Sequence, residues 1–311
     1  NHGVVTDMDA LSIEGVSKSF GKVRAVDDLT AGVPAGSIYG FLGPNGAGKT
    51  TLIRMLMNII YADSGRIEIL GEESSKADVK NSIGYMPEER GLYGKMRVGK
   101  VLSYIAAIKG MSRTDRTRAV REWLERVELT DWAHKKVEEL SKGMQQKLQF
   151  VATVINDPEI LILDEPFSGL DPVNLDVLKD IILAKRDTGR TIVLSTHMMD
   201  QAERLCDFIL LINSGKKVID GTLDQIRGRY ESSTVVIEAE GDTSFVSDLP
   251  MVERTNPAGR KLEVSLREGA DSQDLLRALV ERVRLRAFEV KVPSLHEIFV
   301  HLVGRSNAQD S

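Results

Sequence analysis

Residues Gly43 to Thr50 read GPNGAGKT, which has the form G-x-x-x-x-G-K-[ST]. An apolar run, SIYGFLG (Ser37 to Gly43), precedes it. A segment of helical spacing, KTTLIRMLMNII (Lys49 to Ile60), follows it and puts Leu52, Met55, Leu56 and Ile59 on one face. A strand, a glycine-rich turn and a helix in that order make a phosphate loop. Gly43, Gly46 and Gly48 let main-chain N–H groups curl around phosphates, with Asn45 in the same turn. The helix N-terminus adds partial positive charge. Lys49 is placed to reach β- and γ-phosphates, the Thr50 hydroxyl to ligate Mg2+, and Thr51 to add a second hydroxyl. The competing reading is a glycine-rich turn with a chance lysine, which the flanking strand and helix oppose.

Further along, ILILDEP (Ile160 to Pro166) is a buried apolar strand ending in Asp164 and Glu165. The carboxyl end of a parallel strand is where an open α/β sheet builds its site. There Asp164 can hold Mg2+ through water, and Glu165 can polarise an attacking water. Taken alone, the pair also fits a solvated strand end. Similar runs at TIVLS (Thr191 to Ser195) and FILLI (Phe208 to Ile212), separated by helical stretches, predict a parallel sheet covered on both faces. RIEILG (Arg66 to Gly71) alternates like an edge or half-buried strand. From about Arg97 to Asp157 the chain is charged and helical, with amphipathic spacing in VLSYIAAIKG and RAVREWLERVEL. This predicts a helical subdomain, about residues 89–158, inserted into the α/β core.

After about Gln225 the character changes. STVVIEAE, KLEVSLREG and RAFEVKV read as strands. SQDLLRALVERV reads as a helix with Leu275, Leu276, Leu279 and Val283 on one face. SLHEIFVHLVG reads as a final helix capped by Ser294, with Glu297 three residues on. A GRYESS linker separates this part from the rest. The expected organisation is a nucleotide-binding domain over residues 1–225 and a small α+β accessory domain over 226–311.

The 311 residues carry a formal charge of -5, which opposes a dedicated nucleic-acid binder. One cysteine, Cys206, cannot form an internal disulfide, so a reducing compartment is expected; a small buried thiol is its plainest role. No apolar run approaches the ~18 residues of a membrane span. The start, NHGVVTDMDA, lacks the parts of a signal peptide.

One more stretch needs a partner. LSKGMQQK (Leu140 to Lys147) is rich in Gly and polar residues, yet it stands just before the helix QQKLQFVATVI and the strand ILILDEP. By itself it fits an ordinary helix N-cap by Ser141. With GPNGAGKT upstream and ILILDEP downstream, it resembles the signature, usually LSGGQ, of the ATP-binding cassette (ABC) family. The resemblance covers about residues 10 to 225 and implies a P-loop NTPase core. It also implies that Ser141 and the Gly143 N–H face the γ-phosphate of ATP held by a second, antiparallel copy. Lys142 and Met144 depart from LSGGQ. The family's remaining motifs fall in order. Phe20 sits where an aromatic stacks on adenine, although it also fits a strand-end core aromatic. SGLDP (Ser168 to Pro172), with Asp171, matches the loop that crosses the dimer interface. His197, in STHMMD, matches the switch histidine at the γ-phosphate.

In the loop that joins core to helical subdomain, the family usually has a Gln that contacts Mg2+. Here IGYMPEERGLY puts Glu88 at that position, which keeps an oxygen ligand and adds negative charge. The alternative is a surface loop with solvated acids. PEERGLY and the C-terminal VPSLHEIFVHLVG resemble the sodium-efflux and ABC-2-type exporter branch. The resemblance implies an ATPase with catalytic Glu165, His197 and Lys49 and metal-binding Thr50, Glu88 and Asp164. The expected ligands are ATP and Mg2+. A second copy of the chain and an integral-membrane permease are the expected partners, with no nucleic acid, at the cytoplasmic face of the cell membrane. The alternative is a soluble ABC ATPase acting on the ribosome or DNA. Such relatives carry tandem cassettes, long insertions or zinc modules, which this sequence lacks.

Overall fold

The structure, a computed structural model, describes residues 9–76, 82–229, 234–267, 269–291 and 293–309. The start of the chain through Met8 and most of the GRYESS linker lie outside these residues. The chain divides into two compact units between Leu223 and Asp224.

The first unit opens with a long hairpin, β1 (Asp9–Phe20) and β2 (Val23–Pro34). β3 (Ile38–Leu42) then runs into the glycine-rich turn and α1 (Lys49–Leu56). β4 (Ser64–Ile69), β5 (Glu72–Glu73) and β6 (Ile83–Met86) follow. The helices α2 (Val98–Ile108), α3 (Arg113–Arg126) and α4 (Lys142–Val154) come next. The unit closes with β7 (Ile160–Asp164), α5 (Pro172–Asp187), β8 (Thr191–Thr196), α6 (Met199–Leu205), β9 (Phe208–Asn213) and β10 (Lys216–Thr222).

Two sheets result. One has the order β10-β9-β3-β8-β7-β6; its strands pair in parallel except for antiparallel β10. The other, β2-β1-β4-β5, is antiparallel. The apolar runs of the sequence are the parallel strands. Ile160, Leu161, Ile162 and Leu163 of β7 are all fully buried, each contributing roughly 1.5–3 kcal/mol on burial. The strand order brings the carboxyl ends of β3, β8 and β7 side by side, so the glycine-rich turn, His197 and the two acids meet at one edge.

Two details differ from the sequence expectation. The helix after the glycine-rich turn ends at Leu56, not near Ile60, because Asn58 takes the left-handed conformation (φ 52) and stops it. Ile59 is therefore 57% exposed rather than on the buried face with Leu52, Met55 and Leu56. The hairpin β1–β2 was not evident from alternation, because bulges between Ile13 and Val16 and again near Lys18 slip the side-chain pattern from face to face.

The second unit begins in α7 (Leu223–Gly228). It has an antiparallel sheet of order β12-β13-β11-β14, formed by β11 (Thr234–Glu240), β12 (Val252–Ala258), β13 (Lys261–Leu266) and β14 (Arg284–Val290). α8 (Ser272–Val280) lies over it and buries Leu275 and Leu279 against Val235, Ile237 and Val264. α9 (Leu295–Gln309) starts with a complete capping box. The Ser294 N–H donates to Glu297 at 2.8 Å, and the Glu297 N–H donates to the Ser294 hydroxyl at 3.2 Å.

Candidate nucleotide site

The turn after β3 is built where only glycine fits. Gly48 caps α1 at φ 109, and a Cβ there would lie 2.3 Å from the Ala25 carbonyl oxygen. At Gly43 a Cβ would lie 2.2 Å from the Ile212 carbonyl oxygen. Among the described residues no side chain caps α1, and its first turn holds no acid, so its N–H groups face the cavity with their partial charge intact. That cavity has a volume of about 630 Å³ and is lined by Asn45 to Thr51, Glu88, Asp164 and Glu165, with Val23 to Ala25 and the Ser214–Gly215 turn on the other side.

Lys49 is buried and folds back on its own loop, donating to the Gly43 carbonyl at 2.8 Å and the Pro44 carbonyl at 3.1 Å. Burial pushes its pKa down, while Glu165, Asp164 and Glu88 pull it back up. Asp164 is fully buried at the end of β7, and both its carboxylate oxygens lack a hydrogen bond among the described residues. Burial raises its pKa. An orphaned buried carboxylate next to Thr50 fits a divalent cation, which repairs both deficits. Mg2+ is usually held by one or two protein oxygens plus phosphate oxygens, so Thr50, Asp164 and Glu88 are a sufficient protein set once a nucleotide completes it.

Glu165 is 6% exposed and sits in the left-handed region at φ 49. Three bonds aim its carboxylate. The His197 N–H donates to Oε1 at 3.1 Å, His197 Nδ1 lies 2.8 Å from Oε1, and the Thr196 hydroxyl donates to Oε2 at 3.2 Å. With the proton on Nδ1, the imidazole leaves Nε2 free on its exposed side.

The other predicted residues lie elsewhere. Phe20, at the end of β1, is 52% exposed with the Lys18 ammonium 5.7 Å from its ring centroid. It is thus not a core aromatic, and it does not line the cavity. Ser141 caps α4, accepting from the Met144 N–H at 3.2 Å. Its hydroxyl proton stays available to an acceptor. Neither Ser141 nor Gly143 lines the cavity; Gly143 instead abuts Gly169 of SGLDP. Asp171 caps α5, accepting from the Asn174 N–H at 3.0 Å. Cys206 is buried, and burial pushes its thiol pKa up, away from reactivity.

Sequence reasoning did not find the hairpin side of the cavity, nor the buried glutamines Gln146 and Gln149 of α4. The Gln146 amide donates to the Glu165 carbonyl at 3.3 Å and the Pro166 carbonyl at 3.0 Å. Gln149 donates to the Pro87 carbonyl at 2.8 Å and the Glu89 carbonyl at 3.2 Å. Gln146 and Gln149, three residues apart beside the apolar residues Leu148, Phe150 and Val151, were the available signal.

Residues 26–168 match the ABC transporter family, and residues 221–303 match the family described as ATP-binding protein DrrA1-3-like, C-terminal domain. The chain is 40% identical over 294 residues to the ABC transporter ATP-binding protein YhaQ of Bacillus subtilis (strain 168), covering 94% of this chain and 98% of that one. It is 34% identical to the Nod factor export ATP-binding protein I of Rhizobium sp. (strain N33), covering 95% of this chain and 97% of that one. A solved structure described as an ATP binding subunit of an ABC transporter superposes with a TM-score of 0.67 at 30% identity, over 71% of this chain and 93% of that one. The chain therefore belongs to the ABC transporter ATP-binding proteins, a family that hydrolyses ATP in transport.

Proposed function

We propose that this chain is the ATP-hydrolysing subunit of an ABC exporter. It works as a pair of copies on the cytoplasmic face of the membrane and drives a separate permease. One observation carries the pairing: the cavity holds Lys49, Asp164 and Glu165 but is not lined by Ser141 or Gly143. A helix N-terminus with an available hydroxyl and N–H groups then serves a nucleotide held by another copy. Among the described residues, no helix is long and apolar enough to cross a membrane. The relative named for Nod factor export supports the exporter branch.

In this reading the loop N–H groups and Lys49 grip the β- and γ-phosphates, which costs Lys49 its carbonyl partners. Phe20 stacks on the adenine at the mouth. Thr50, Asp164 and Glu88 hold Mg2+. Bound there, the cation neutralises charge that builds on the phosphate oxygens. Glu165 accepts a proton from the attacking water, and His197 aims that carboxylate through its main-chain N–H and Nδ1; only with a proton on both ring nitrogens does it also donate from Nε2 to the γ-phosphate. Ser141 and the Gly143 N–H of the second copy complete the charge stabilisation. Closure on ATP and parting after hydrolysis shift the permease between its access states.

The test is to tag the chain in its host, solubilise membranes gently and identify what co-purifies. A multi-span membrane protein in fixed proportion is expected. Co-purification with ribosomal proteins or a DNA-repair factor alone would overturn the exporter reading and leave the ATPase chemistry standing.

A further inference from the structure

We infer that Arg90 is a positioning residue for ATP hydrolysis: acting through Gln146 and Gly169, it ties the loop that carries Glu88 to the main chain that fixes Glu165. The inference rests on the function proposed above and adds a residue to it. Arg90 Nε donates to Gln146 Oε1 at 3.3 Å, while the same Gln146 amide donates from its other end to the carbonyls of Glu165 and Pro166. Gln146 is 1% exposed, so this side chain is a fixed relay with no water to substitute for either partner. The Arg90 guanidinium also lies against Gly169, where an added Cβ would stand 3.2 Å from it. Gly169 in turn lies near the start of α4, where a Cβ added at Gly143 would stand 3.6 Å from the Gly169 carbonyl oxygen. Arg90 forms no ion pair among the described residues.

One helix therefore joins three parts of the site. At its N-terminus α4 presents Ser141 and Gly143. One turn on, Gln146 holds the turn at Glu165. Three residues further, Gln149 holds the loop on both sides of Glu88 through the Pro87 and Glu89 carbonyls. Arg90 closes the circuit from that loop back to Gln146. The target of the circuit is a strained residue. Glu165 at φ 49 sits in the left-handed region, a conformation unfavourable for a residue with a side chain that its surroundings must hold in place. Its N–H is fixed on the Ser195 carbonyl at 2.9 Å, and its carbonyl accepts from the Ser168 N–H at 3.2 Å and the Gln146 amide at 3.3 Å, which together set the direction of the carboxylate. Loss of Arg90 frees the Gln146 amide to turn and loosens that direction. Displacement of a reacting group by about 1 Å costs turnover rather than affinity.

The experiment is steady-state ATP hydrolysis by the full chain and by Arg90→Ala, Arg90→Lys, Gln146→Ala and the double variant, with nucleotide affinity and melting temperature recorded in parallel. Arg90→Ala is expected to lower kcat by about 10- to 100-fold at a temperature well below melting, with KM for ATP within about twofold, and to lower the melting temperature as the buried Gln146 oxygen loses its donor. Arg90→Lys should restore part of the turnover. In the Gln146→Ala background, Arg90→Ala should cost little more, since the relay is already broken. An unchanged kcat in Arg90→Ala, a rise in KM that accounts for the loss, or full additivity with Gln146→Ala would each overturn the inference. Absence of ATP hydrolysis by the unsubstituted chain would instead overturn the proposed function, and the inference with it.

Discussion

At the scale of single residues, the site depends on a few side chains whose surroundings prevent substitution. Glu165 has both carboxylate oxygens engaged by Thr196 and His197 and no other base within the cavity lining except the metal-side acids. Glu165→Gln is expected to keep ATP binding and to lower hydrolysis by roughly 100-fold or more, the range of a general base. Near-normal turnover in a single-turnover assay would remove Glu165 from that role. The glycine-rich turn makes a sharper structural prediction. Gly48→Ala forces a Cβ to 2.3 Å from the Ala25 oxygen at φ 109, whereas Gly46→Ala has strain at φ 80 but open space. Gly48→Ala should therefore lose nucleotide binding and more than about 2 kcal/mol of stability, and Gly46→Ala markedly less. Equal melting curves for the two would contradict the account. The residues of this turn were legible in the sequence because their function lies in the local main chain. The hydrogen bonds that aim Glu165 were not, since they join residues about thirty positions apart in sequence that only the order of β7 and β8 brings together.

At the scale of elements, the apolar strands and amphipathic helices declared themselves by their periods, and the errors have physical causes. α1 stopped early at a left-handed asparagine, and the bulged hairpin hid its alternation. The loop between α4 and β7 shows how a short connection is held. Asp157 bridges Lys185 of α5 and Arg190 ahead of β8, each at 2.6 Å. The bond from Arg190, then that from Lys185, hold its carboxyl below the usual range. A depressed folded-state value means that the stabilisation is present above the unfolded carboxylate pKa, about 3.9, and is lost as pH falls through the folded value. Asp157 is half exposed, so solvent screening limits the effect to about 1 kcal/mol or less. Asp157→Asn should melt slightly lower at pH 7, and the gap should close in acid as the wild-type carboxylate is protonated. A gap of the same size at pH 7 and pH 3 would assign the effect to something other than charge.

At the scale of the whole molecule, the first unit carries every residue assigned to the nucleotide, and the second is a separate α+β body with its own core. The division lies between Leu223 and Asp224, and each unit buries an apolar core of its own. The proposed pairing of copies entered the sequence reading only through resemblance, since nothing in one chain's periodicity says that a helix N-terminus serves a neighbour's ligand. The central claim is that ATP joins two copies, with Ser141 and Gly143 of each facing the nucleotide of the other. The most direct measurement is the solution mass of Glu165→Gln with and without Mg-ATP, by light scattering or sedimentation, repeated with Ser141 replaced by a bulky residue such as Arg. The account predicts a dimer that appears with Mg-ATP, holds two ATP molecules, and disappears when Ser141 is replaced while each monomer still binds ATP. A monomer throughout, or a dimer indifferent to both ATP and Ser141, would contradict it.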